Sequence, residues 1–161
     1  MNLAVKIFSV QNSTILPAIL WSGLACGILD ITAALVVYGS FGLTPMRLLQ
    51  GIAGGLLGPR AYEGGLATAL LGLLCHFVIA FSAAAVYVAL SRWFGFLLQR
   101  AVISGIVYGP AVYFFMNRIV VPLSAARKFP FSWKMMIIGV VIHIFCVGLP
   151  ISIIVRRYSI N

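Results

Sequence analysis

Four apolar stretches, each long enough to cross a bilayer, constrain this chain more than any motif in it. They cover about 15–38, 66–90, 98–123 and 135–155, and a helical span needs about 20 residues. Lipid offers no partner for open backbone N–H and C=O groups, so each stretch must be helical. The expected fold is all-α: a polytopic membrane protein with four transmembrane helices in a compact bundle. It is expected to form one domain over residues 1–161, with no soluble head. Composition agrees, with 63% of the 161 residues hydrophobic, 8% charged and a mean hydropathy of +1.14. Soluble domains carry about a quarter charged residues, and disordered chains combine few apolar residues with many charges.

The charges exclude several kinds of chemistry. Eleven Lys and Arg oppose two acidic residues, Asp30 and Glu63, for a net charge of +9. In a soluble protein that balance would point to nucleic acid. Here the cations sit almost entirely in the gaps between apolar stretches, as membrane-flanking residues do, and no nucleic-acid partner is expected. Two carboxylates at different depths do not make a glycosidase pair or a two-metal site. Ser22, Ser82 and Ser104 have no nucleophile-elbow sequence around them, so an intramembrane enzyme is not expected. Cys26, Cys75 and Cys146 lie in three separate apolar segments without a CxxC. They read as small buried hydrophobes.

Four spans place both termini on one side, side A, with Lys6, Arg92, Arg100, Arg156 and Arg157. Side B carries Arg47, Arg60, Arg127, Lys128 and Lys134, with Arg118 snorkelling towards it. The count is nearly even. The short basic side-A loop and the Arg156-Arg157 pair abutting the last span favour cytoplasmic termini. The first span reads as uncleaved, because its apolar run continues past any small-residue cleavage point. Trp93 and Trp133 suit the two membrane interfaces.

Two connections on side B are more than plain loops. Thr44 suits an N-cap and Pro45 a first helical turn, so a short helix is expected over 45–57. Leu48, Leu49, Ile52 and Leu56 share one face of it, and Gly51, Gly55 and Gly58 another. It is too short to span and reads as an amphipathic or re-entrant helix, its glycine face packing on the bundle. The connection from Pro122 to Trp133 mixes Arg127 and Lys128 with Phe131 and Trp133. That mixture suits lipid headgroups.

Each span carries a stripe of small or polar residues at helical spacing. The first has Gly23, Cys26, Gly27, Asp30 and Ala34; the second Gly65, Ala69, Gly72, His76, Ala80 and Ala83. The third has Gly105, Gly109, Tyr113 and Asn117; the fourth Gly139, His143, Cys146 and Pro150. Small residues let membrane helices approach closely, and polar ones turn inward from lipid. Pro110 and Pro150 are expected to bend their helices. At about 1.5 Å rise per residue, Asp30, His76 and His143 fall roughly 12–15 Å from side B. Tyr113 lies near that level and Asn117 about one turn closer to side B.

A polar intramembrane cluster of Asp30, His76, Tyr113, Asn117 and His143 is therefore expected, and it has three readings. It is a site for small-solute or proton-linked transport, since an Asp beside a His shares a proton near neutral pH. Alternatively His76 and His143 ligate a haem iron, or with Asp30 and the cysteines a transition metal, in a redox membrane protein. Or it is an interhelical hydrogen-bond network in a structural or accessory membrane subunit, or in a homo-oligomer joined through the small-residue stripes.

The order of features resembles one family. A glycine-rich first span is followed by His76-Phe77, Ala80-Phe81-Ser82-Ala83 and Tyr87. Gly105 with Gly109, a Pro122-Leu123 exit, and His143 before Arg156-Arg157 come next. This pattern is similar to the YagU-type small bacterial inner-membrane proteins. The chain lacks the longer polar insertion between spans one and two associated with the eponymous member. The resemblance implies a bacterial inner-membrane location with both termini inside, and no substrate or catalytic residue.

Overall fold

The computed structural model describes residues 12–128 and 130–159; Lys6 lies outside the described residues. Every regular element among them is helical. In chain order these are α1 (Asn12–Ser40), α2 (Pro45–Leu57), α3 (Gly65–Trp93), the single turn α4 (Phe96–Gln99), α5 (Ala101–Leu123) and α6 (Trp133–Arg157). A 3₁₀ turn over Gly58–Tyr62 joins α2 to α3. Helices α1, α3, α5 and α6 are long and apolar enough to cross a membrane. The chain is by that measure a multi-pass membrane protein. Leu98, expected to open the third span, belongs instead to α4 and is buried.

The short helix on side B starts where its sequence says. The Thr44 hydroxyl accepts the Arg47 N–H at 3.3 Å, and Pro45 occupies the first helical position. It stops at Gly58, whose φ of +60° favours glycine. Its packing differs from the expectation. The glycine that permits close approach is Gly72 on α3, where a Cβ would overlap the Leu49 carbonyl. Gly55 and Gly58 instead face Ser124 and Ala125 beyond α5, and the Ala125 N–H donates to the Gly55 carbonyl at 3.0 Å. Buried Gln50 fastens α2 further, its Nε2 donating to the Gly65 carbonyl at 3.0 Å.

Glycines also set the other contacts. Gly23 and Gly27 of α1 seat the rings of Phe81 and Phe77 of α3. Gly105 and Gly109 of α5 lie backbone to backbone against α6, where a Cβ on Gly148 would overlap the Gly105 carbonyl. Such contact is how membrane helices gain van der Waals attraction without a hydrophobic driving force.

The core sits towards side A. Tyr87 is fully buried there among Ala84, Val88, Leu98, Ile151 and Val155. Its hydroxyl donates to the Leu97 carbonyl at 2.9 Å, and Tyr108 donates to the Ala83 carbonyl at 2.7 Å. The two tyrosine rings meet edge to face at 5.0 Å. Thr14 donates to the Tyr158 carbonyl at 3.1 Å, tying the start of α1 to the end of α6. Helix α6 packs on α1 from His143 onward and not along Trp133–Ile142, and no described residue from Pro110 through Cys146 is buried.

Both long helices widen into a π turn just before a proline. Met116–Val120 precedes Pro122, and His143–Gly148 contains the residues four and more before Pro150. A proline ring crowds the carbonyl four residues back and offers no N–H to it, so a wider turn relieves both. The helix runs on through Pro110 without such a turn.

Candidate functional site

Helices α1, α5 and α6 and the connection between the last two line a cavity of about 960 Å³ on side B. Helix α1 contributes Asp30, Ala34 and Tyr38, four residues apart and so on one face. Helix α5 contributes Tyr113, Phe114, Asn117 and Arg118, and α6 contributes Met135, Met136, Gly139, Ile142 and His143. The connection between α5 and α6 supplies Arg127, Lys128, Pro130 and Phe131.

Four of the five expected cluster residues therefore line one space: Asp30, Tyr113, Asn117 and His143. The His143 ring meets Tyr113 edge to face at 5.2 Å. Gly139 makes that pair possible, because a Cβ there would overlap the Tyr113 ring. His143 Nδ1 lies 2.9 Å from the Gly139 carbonyl. A carbonyl only accepts, so Nδ1 carries a proton and Nε2 is left as the acceptor or the second protonation site. Asn117 Nδ2 donates to the Tyr113 carbonyl at 2.9 Å, leaving Oδ1 as an acceptor. Asp30 is half-buried in the wall.

His76 is placed apart. It is not in the cavity lining, and its Nε2 lies 2.9 Å from the Gly27 carbonyl of α1. Its ring packs edge-on to Phe77 at 5.5 Å. The two imidazoles expected at one site thus face different surroundings, each holding a backbone carbonyl with one nitrogen. Cys26 is buried with its thiol directed at the Gly23 carbonyl, and Cys75 and Cys146 are half-buried and unbridged. Among the described residues no group of three or more His, Cys, Asp and Glu side chains gathers as a metal site.

Sequence reasoning placed Arg127, Lys128 and Arg118 as membrane-flanking residues and Tyr38 as the end of a span. All four line the cavity. For Tyr38 the signal was present, since it continues the Asp30 and Ala34 spacing. For Arg127 and Lys128 the basic and aromatic mixture pointed to headgroups, but a connection has no periodicity that would place them on a cavity wall. Three cations and one carboxylate line this space. A second hollow of about 670 Å³ lies at the side-A end between α1 and α3. Its walls are apolar apart from Arg92, and it gathers no comparable chemistry.

No family model, curated protein or solved structure matches the chain.

Proposed function

We propose that this chain binds a small solute from side B of a membrane and couples its occupancy to protonation of Asp30 and His143, as one end of a transport cycle. One observation carries the reading: Asp30, Tyr113, Asn117 and His143 line a single open cavity. A charge near the bilayer centre costs about 2.5–3.5 kcal/mol on insertion scales, so an intramembrane acid on a cavity wall argues for use. His143 supplies a second group that can take up a proton, at the Nε2 left open by its contact with the Gly139 carbonyl. The buried cluster around Tyr87, Ile151 and Val155 towards side A supports a site that opens towards side B. The π turn at His143–Gly148 lies where sealed and open halves meet, a suitable place for a hinge.

In this proposal the four long helices form a compact bundle in the bilayer, and α2 lies at the side-B interface. The location is a bacterial inner membrane with cytoplasmic termini, as the YagU-type resemblance implies. The test is the decay of an imposed pH gradient in proteoliposomes that contain a trapped pH-sensitive dye. Wild type is expected to dissipate the gradient faster than Asp30→Asn, whose rate should fall to that of protein-free vesicles. Equal rates for wild type and Asp30→Asn overturn the coupling.

A further inference from the structure

The cavity's charges also define what fits its outer part. We infer that an anionic phospholipid of the side-B leaflet occupies it, its phosphate held by Arg118, Arg127 and Lys128 and its chain lying on the apolar wall. This rests on the cavity being a binding site, and not on its proton coupling.

The cations come from two separate elements. Arg118 lies in the π turn of α5, and Arg127 and Lys128 lie in the connection that follows. The fold brings all three to one space, where one carboxylate opposes them. From the helical rise, Asp30 lies roughly 15 Å from the side-B end of α1, deeper than Arg118, which is five residues from the end of α5. Guanidinium groups take phosphate oxygens two at a time, and a lysine adds a point charge.

An inorganic anion would satisfy the cations and leave the rest of the wall uncovered. That wall is Phe114, Met135 and Ile142, which hydrocarbon covers and water does not. The walls that α5 and α6 give this space are not closed over, since no described residue from Pro110 through Cys146 is buried. A headgroup at the level of Arg118 with its chain running towards the bilayer centre follows the ordinary orientation of a side-B lipid. At about 960 Å³ the space exceeds a headgroup alone.

The test is native mass spectrometry of the full chain in mild detergent, titrated with dioleoyl phosphatidylglycerol or dioleoyl phosphatidylcholine. Wild type is expected to bind phosphatidylglycerol about tenfold more tightly, less than the full attraction of three cations at an anionic surface, because Asp30 shares the cavity. Arg118→Gln with Lys128→Gln should bring the two lipids within about twofold, and Lys128→Gln alone should lose about threefold. Lys134→Gln is the control, because this lysine stands over the Phe41 ring and not in the cavity lining. It should leave the preference unchanged.

No preference in wild type overturns the inference. So does a preference that survives both substitutions, which would mark a lipid annulus. Displacement of phosphatidylglycerol by inorganic phosphate at equal concentration shows a free-anion site and overturns the lipid assignment. If the double variant is not monodisperse, the single Lys128→Gln titration decides. Wild type that selects phosphatidylglycerol but leaves the pH gradient intact defeats the coupling alone. Gradient decay without lipid preference defeats the lipid assignment alone.

Discussion

Gly148 and Gly139 lie nine residues apart on α6 and have different neighbours. Gly148 meets the backbone of α5, at the Gly105 carbonyl and the Gly109 nitrogen. Gly139 meets the ring of Tyr113. The same residue type thus serves a backbone contact in the sealed half and a side-chain seat in the open one. Backbone cannot yield without moving a whole helix, whereas a ring beside a cavity can swing. The lesson is that small-residue stripes in a membrane chain mark two distinct things, and the neighbour decides which.

The sharpest way to break this comparison is Gly148→Val. The added atoms would overlap main chain on α5, and no rotamer change relieves that. A loss of about 3 kcal/mol is expected, at the upper end for overpacking. Unfolding in a detergent series, followed by helical circular dichroism, measures it. If Gly148→Val is as stable as wild type, the α5–α6 contact is not the close one described, and the sealed half loses its distinction.

Much of this architecture was legible in the sequence. Length and hydropathy gave four long helices, and Thr44-Pro45 gave the start of α2, because both signals are local. That α6 packs on α1 only from His143 onward was not legible. Gly105, Gly109 and Gly139 look alike on a helical wheel, and only tertiary structure distinguishes backbone from tyrosine as their neighbour. The placement of His76 failed for a related reason. Helix α3 changes partner along its length, with Gly72 against α2 and Phe77 against Gly27 of α1. His76 falls at that change and turns to the Gly27 carbonyl, a backbone group no sequence pattern marks. Asp30, Tyr113, Asn117 and His143 were legible as neighbours in depth from residue count, but the same count gathered His76 with them, because depth does not say which space a side chain faces.

Gly139→Ala sharpens the comparison from the open side. The methyl would displace the Tyr113 ring from its contact with His143. The expected loss is about 1 kcal/mol, the worth of one aromatic pair, because the displaced ring has the cavity to enter. The same detergent series measures it beside Gly148→Val. A cost equal to that of the valine variant would mean that the side-B wall is as rigid as the side-A core.

Asp30→Asn should move stability least and still matters most to function. The two imidazoles are held by the Gly27 and Gly139 carbonyls, so neither depends on this carboxylate for its place. Asparagine keeps the volume and shape of the side chain, so the α1 wall stays filled. The expected change in unfolding free energy is within about 0.5 kcal/mol, as for substitutions outside packed or bonded sites. A loss of several times that amount would make Asp30 part of a structural network and remove the distinction between the halves. A stable variant that no longer dissipates the pH gradient would separate the two roles. Helix packing would then belong to the Gly105, Gly109 and Gly148 contact, and proton handling to a carboxylate that the fold does not need.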